Sequence, residues 1–274
     1  MPEDYFAQSS GESPPPFAGL EFIELATRSP QATAEFLEAL GFVAIAHHRS
    51  KAVTLFRQGE INLVVNASEN SFASAYADSL GTSVCALALR TGNASSAYQN
   101  LLARGAWEAA TSAGAMELNI PAIESIGGSQ IYLVDRYGDG INIYDIDFKP
   151  LKDAPNEAGL LERVASVGLS ISPERIQPWT DYYTQLFGFT PTHENRLTLD
   201  RSLELTLETN PESDLQDEQI SSLVFTVADL ERARQRLSER GIRLSPAGAG
   251  QPKYRIETPL EDLAVTLFIS ADPA

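Results

Sequence analysis

Apolar positions along this chain fall into two recurring patterns that alternate. In the first, an apolar run from Phe22 to Ala26 gives way to Ser29-Pro30, then to apolar residues at helical spacing (Phe36, Leu37, Leu40) and a Gly41-Phe42 exit. The same order returns as Val167 to Ile171, Ser172-Pro173, Trp179 to Leu186 and Gly188-Phe189. Proline suits a first helical turn, where no N–H donor is required, and glycine suits the left-handed residue that ends a helix. The second pattern runs from Val84 to Leu89, through a helix carrying Ala97, Leu101 and Leu102, to Arg104-Gly105. It returns as Leu223 to Val227, Ala228-Asp229-Leu230, a helix through Ala233 and Leu237, and Arg240-Gly241. Short runs of alternating character follow the helices at Val53 to Phe56, Ile61 to Val65, Ile131 to Val134, Leu203 to Leu207 and Val265 to Ile269, and they read as strands.

The repeating unit is therefore a strand, a helix and then short strands, present four times. One such unit cannot cover both faces of its own sheet, so paired units curling around a cleft are the physical expectation. The spacing predicts an α+β protein with domains at 17–149 and 159–274, each a curled mixed sheet built from two βαβββ modules. Lys149-Pro150, Asp153, Pro155 and Asn156 interrupt the periodicity, so 150–158 reads as a linker. Residues 1–16, which include Pro14, Pro15 and Pro16, read as a disordered tail.

Composition narrows the partners. The 274 residues carry 37 acidic and 20 basic side chains, a formal charge of −17 that repels phosphate backbones, so nucleic acid is not expected. No apolar run approaches the roughly 20 residues that a bilayer requires, and membrane insertion is not expected either. The first sixteen residues lack both the basic start and the apolar stretch of a secretory signal, which points to the cytoplasm. A single cysteine, Cys85, rules out an internal disulfide, and three histidines leave little material for a His-based metal site.

Specific stretches go further than the repeat. Gly19 to Glu24, His48-Arg49-Ser50-Lys51, Arg57 to Leu63, Met116 to Ile123, Ile126-Gly127-Gly128, Tyr132 to Gly138 and Ile143 to Phe148 resemble the N-terminal domain of bacterial 4-hydroxyphenylpyruvate dioxygenases, nearly continuously from residue 19 to 148. Those enzymes are members of the vicinal-oxygen-chelate (glyoxalase/bleomycin resistance/dioxygenase) superfamily, and the resemblance implies two such domains here. It also implies that the second domain holds the site, with iron bound by two His and one Glu on three strands, a facial triad. Carried onto this sequence, the two His positions fall on Ser166 and Ser222 and the Glu position on Leu267. A neutral alcohol is a poor donor to Fe(II) and a hydrocarbon is none, so no metal and no cofactor are expected. The second half is also shorter than the family's version, which has insertions and a closing C-terminal helix.

Other chemistry can then occupy the cleft. Ser166 and Ser222 remain as hydroxyls for a bound acid. Glu204 with His193 or Arg196 could form a metal-free acid–base set, or be the solvent-facing side of the strand from Leu203 to Glu208. Tyr254 and Arg255 could anchor an acid at the cleft mouth, with Arg255 giving a bidentate grip, or Arg255 could serve a surface ion pair. Glu21, Cys85 and Tyr144 take the equivalent strand positions of the first half, where packing accounts for them. His48 is expected to support a domain or subunit contact. The expected function is metal-free binding of a small oxygenated or aromatic acid. The alternatives are a metal-independent lyase, isomerase or dehydratase acting on a shikimate-type or aromatic acid, with proton transfers through groups such as Glu204, His193 or Tyr254, since similar halves occur fused to 3-dehydroshikimate dehydratases, and a non-catalytic scaffold or dimerisation module. A homodimer or homotetramer is expected.

Overall fold

The structure, a computed structural model, describes residues 13–110, 118–138, 140, 142–151, 159–193, 195–200, 202–209, 218–247 and 252–271. Most of the expected tail, Met116 and nearly all of the expected linker lie outside the described residues.

Two eight-stranded sheets form, one from each half of the sequence. The first contains β1 (Phe17–Ala26), β2 (Val43–His48), β3 (Val53–Gln58), β4 (Ile61–Asn66), β5 (Ser83–Thr91), β6 (Ala122–Glu124), β7 (Gln130–Val134) and β8 (Phe148–Pro150), ordered β6-β7-β5-β1-β4-β3-β2-β8. The second contains β9 (Val164–Ile171), β10 (Thr190–Pro191), β11 (Arg196–Leu199), β12 (Leu203–Thr209), β13 (Gln219–Val227), β14 (Arg243–Pro246), β15 (Lys253–Glu257) and β16 (Thr266–Ala271), ordered β10-β11-β12-β9-β13-β16-β15-β14. Helices are α1 (Pro30–Leu40), α2 (Phe72–Leu80), α3 (Ala94–Ala103), α4 (Ile143–Asp147), α5 (Ile176–Phe187) and α6 (Leu230–Glu239). Among the described residues no helix is long and apolar enough to cross a membrane.

One rule generates all four modules: the first strand lies beside the last, and the rest meander outward. A helical crossover returns the chain parallel to its start, as in β1 with β4, β5 with β7 and β13 with β16, whereas the outer strands join antiparallel through short turns. The helix ends follow local chemistry. Asn93 and Asp229 cap α3 and α6 by accepting from the backbone N–H three residues on. Gly41 and Gly188 end α1 and α5 in the left-handed conformation, at φ 98° and 73°. Pro30 opens α1 as expected, but Pro173 opens only a short 3₁₀ turn, Pro173–Arg175, ahead of α5. The buried carboxylate of Glu218 accepts there from the Ser172 N–H and from Arg175, which ties the turn down before the α-helix starts.

The chain packs into two compact units, each drawn from both sheets. One comprises Met1–Glu21, Ala86–Asp147 and Gly168–Ile220. Its centre is aromatic: Phe17 stacks on Phe187, and Trp179, Tyr182, Tyr183 and Phe189 pack around it. Glu218 is the polar anchor of that cluster, taking 2.6 Å and 3.1 Å bonds from Arg175 and the Trp179 indole N–H. Gly127, at φ 59°, lies against the Glu218 carbonyl so closely that a Cβ would overlap it.

The other unit comprises Phe22–Cys85, Phe148–Val167 and Ser221–Ala274. Phe36, Leu37 and Leu40 of α1, together with Phe42, meet Leu223, Phe225, Val265 and Leu267 from β13, β16 and the residue before it. The free space among them is about 10 Å³, at most enough for one water. Gln58 closes this unit's chain crossing by accepting from the Leu160 and Leu161 N–H groups while donating to the Leu40 carbonyl.

Candidate functional site

In the unit containing Ser221–Ala274, strand alternation divides β13 cleanly. Leu223 and Phe225 enter the packed interior with α1, so Ser222, Val224 and Thr226 take the opposite face. Parallel register pairs Ser222 with Thr266, Val224 with Phe268 and Thr226 with Ser270, which puts those partners on the same face, opposite α1. Antiparallel register then adds Arg255 opposite Phe268 and Lys253 opposite Ser270, with the Lys253 ammonium 3.9 Å from the Phe268 ring centroid. On β9, Ser166 alternates with the fully buried Val167, Leu169 and Ile171. Thr226 is itself fully buried, and its hydroxyl has no hydrogen-bond partner.

This register corrects one expectation. Leu267 cannot share a site with Ser222, because it pairs with Leu223 and enters the apolar interior; the β16 residues on the Ser222 face are Thr266 and Phe268. The correction leaves the donor chemistry unchanged. None of β9, β13 and β16 contains a His, Cys, Asp or Glu at any position, and no group of three such residues among those described is placed to hold a metal ion.

Tyr254 and Arg255 point to opposite faces of β15. Tyr254 follows the β16 residue Ile269 toward α6, where the Arg234 guanidinium lies 4.4 Å from its ring centroid. Arg255 remains exposed beside Phe268.

In the unit containing Gly168–Ile220, Arg196 and Glu204 lie on the same face of the β11–β12 hairpin, 3.3 Å apart, and both reach solvent. Leu197, Leu199, Leu203, Leu205 and Leu207 take the buried face. His193 lies outside the strands of this hairpin. It sits exposed in the turn between β10 and β11, where its carbonyl accepts from the Arg196 N–H at 2.9 Å.

The first sheet distributes its polar residues differently from the expected trio. Glu21 is buried and paired at 2.7 Å with Arg90, whose guanidinium stacks on Tyr137. Tyr144 lies on α4, not on a strand, because Asn142 accepts from the Tyr144 and Asp145 N–H groups while Asp145 accepts from the Asn142 N–H. That reciprocal cap starts a helical turn where alternation alone would continue a strand. In the other unit, Glu24 takes the place the sequence suggested for Glu21: it accepts from Asn66 at 2.7 Å, and its carbonyl accepts the Cys85 thiol at 3.6 Å. Burial pushes the Glu24 carboxyl up from its ordinary value, against the lowering effect of the Asn66 hydrogen bond. Burial and the nearby Glu24 push the Cys85 thiol well up, so it is a packed thiol and not a nucleophile. His48 donates no site chemistry among these groups; its ring accepts from the Ser50 and Lys51 N–H groups and packs edge-on to Phe148.

Sequence reading missed Thr226, Phe268 and Lys253. The signal was available in the period-two spacing of Ser222 to Thr226 and of Lys253 to Arg255, but it needs the β13–β16–β15 register to become a surface.

Known proteins resemble this chain in both halves. A family described as "Hydroxyphenylpyruvate dioxygenase, HPPD, N-terminal" matches residues 12–149, and the "Glyoxalase/Bleomycin resistance protein/Dioxygenase superfamily" matches residues 166–261. A 4-hydroxyphenylpyruvate dioxygenase from Pseudomonas sp. (strain P.J. 874) is 42% identical over 181 residues, covering 65% of this chain and 50% of the relative. A 3-dehydroshikimate dehydratase from Pseudomonas aeruginosa is 38% identical over 182 residues, covering 65% of this chain and 28% of the relative. The chain thus spans half or less of the length of these relatives. A solved triple mutant of 4-hydroxymandelate synthase from Streptomyces coelicolor has the same fold, with a TM-score of 0.73 at 16% identity, covering 94% of this chain and 95% of its own.

Proposed function

This chain belongs to the hydroxyphenylpyruvate dioxygenase family of the glyoxalase/bleomycin resistance/dioxygenase superfamily, and from that premise we propose that it binds a small aromatic or oxygenated acid without a metal. One observation carries the reading: the strands that bear the family's iron ligands by resemblance hold no imidazole or carboxylate, while the same face offers hydroxyls, an aromatic ring and two cations. The residues present do not fit iron. Ser166, Ser222 and Thr266 are neutral hydroxyls and Phe268 has no donor atom, so the set lacks the charge and basicity that hold Fe(II). They do fit an acid. Arg255 and Lys253 supply the counter-charge, and Phe268 supplies a stacking surface.

A second reading, a metal-independent dehydratase-type lyase, is favoured by the relative named 3-dehydroshikimate dehydratase. It would use the Arg196–Glu204 pair, with His193 in the adjoining turn.

Thermal unfolding of metal-stripped protein with 4-hydroxyphenylpyruvate, 4-hydroxymandelate and 3-dehydroshikimate tests both. A ligand at 100 times its Kd stabilises the fold by about 2.7 kcal/mol, a shift of several degrees. The expected result is such a shift from an aromatic acid without added metal, lost in Arg255→Ala, and no release of water from 3-dehydroshikimate. Stoichiometric Fe(II) binding with oxygen-dependent turnover of 4-hydroxyphenylpyruvate overturns the proposal, and conversion of 3-dehydroshikimate replaces it with the second reading.

A further inference from the structure

A pocket lies elsewhere in the unit containing Phe22–Cys85 and Ser221–Ala274, and it shares no residue with the surface assigned above. Its volume is about 340 Å³, within the usual range for small-molecule sites. Buried Phe36, Ile242 and Leu260 form an apolar floor, and Arg240, Arg243, Glu35 and Glu257 stand around it.

The charges of this rim do not neutralise one another. Arg28, Arg90, Arg175, Arg196, Arg234 and Arg236 each pair with a carboxylate within 4.0 Å. Arg240 and Arg243 form no such pair among the described residues, although the chain carries a formal charge of −17. Arg243 is even the cross-strand partner of Glu257. The Glu257 carboxylate instead accepts from the Ser245 hydroxyl at 2.6 Å, and Glu35 accepts from the Gln31 amide at 2.8 Å. Neutral donors therefore orient both carboxylates and leave their charge uncompensated. Arg240 is positioned as well: its guanidinium crosses the backbone of Gly41, where a Cβ would lie 2.5 Å from Nη1. A side chain at Gly41 would displace it.

Two guanidinium groups and two carboxylates around an apolar floor complement a ligand that carries both charges on an apolar body. A simple acid would face Glu35 and Glu257, and a simple amine would face both arginines. We propose that this pocket binds a free α-amino acid with an apolar side chain, its carboxylate held by Arg240 and Arg243, its ammonium by Glu35 and Glu257, and its side chain on Phe36, Ile242 and Leu260.

Titration calorimetry with L-phenylalanine and L-leucine, against 3-phenylpropionate and phenethylamine, tests this. Saturable binding of an amino acid is expected, at least tenfold tighter than either single-charge analogue. Arg243→Ala should weaken it about tenfold or more, the usual loss for a charge-assisted hydrogen bond, and Glu257→Gln should weaken it likewise. Arg243 is exposed, and circular dichroism will confirm that its variant folds. Arg255→Ala should leave amino-acid binding intact, which separates this site from the acid-binding face. Equal binding of 3-phenylpropionate, an unchanged affinity in Arg243→Ala, or no binding by either amino acid overturns the proposal.

Discussion

At the scale of single residues, the chain places ionisable groups inside and controls each by its neighbours. Glu218 is satisfied by an indole, a guanidinium and a backbone N–H, and it fixes the aromatic core of its unit. Glu24 has one amide partner and a large desolvation cost, so its folded carboxyl titrates above the ordinary 4.5. The sign follows from linkage: a raised folded value means that the folded state holds its proton longer than the unfolded chain. Stability from this group is full below pH 4.5 and is lost as pH rises toward and through the folded value. Glu24→Gln keeps the oxygen that accepts from Asn66 and removes the titration. Urea unfolding midpoints should therefore rise in the variant at pH 8 and match the parent at pH 4; a variant less stable at pH 8 would show that the carboxylate is favourable as a charge.

Secondary-structure elements decide which neighbouring residues share a surface. Tyr254 and Arg255 were natural companions in sequence, but a strand sends them to opposite faces, one under Arg234 of α6 and one beside Phe268. The same period separates Leu267 from Ser222, so a carboxylate introduced at 267 would be buried against Phe36 and Leu223 without a partner. Leu267→Glu should cost at least about 3 kcal/mol in chemical denaturation and give no Fe(II) binding. Phe268→Glu, on the half-exposed face beside Lys253 and Arg255, should cost markedly less. Equal losses in the two variants would mean that the β13–β16 register is shifted by one residue.

At the scale of the whole molecule, each packing unit takes residues from both sequence halves. Phe42 meets Phe225 edge-on in one, and Phe17 meets Phe187 in the other. A fragment ending at residue 158 would therefore expose Phe36, Leu37, Leu40 and Phe42. Each loses roughly 1.5–3 kcal/mol of burial, together comparable to the ~5–15 kcal/mol net stability of a domain. Such a fragment should bind a hydrophobic dye and unfold without a cooperative transition, and co-expression with 159–274 should restore one. A cooperative transition in the isolated fragment would show that each sheet half is self-sufficient.

Local rules were legible before any coordinates. Alternation located β3, β4, β7, β12 and β16, 3.6-residue spacing located α1, α3, α5 and α6, and Gly41 and Gly188 marked helix ends, because each depends only on neighbours within a turn or a pleat. The absence of imidazole, thiol and carboxylate side chains on β9, β13 and β16 was legible too, since it needs only residue types. Tertiary structure alone decided that Glu24 rather than Glu21 lies beside Cys85, that Thr226, Phe268 and Lys253 join Ser222, and that Arg240 and Arg243 face Glu35 across an apolar floor. Those relations join residues tens to hundreds of positions apart, and they arise from sheet register and helix packing, where burial of apolar area selects one arrangement among many that the local pattern allows.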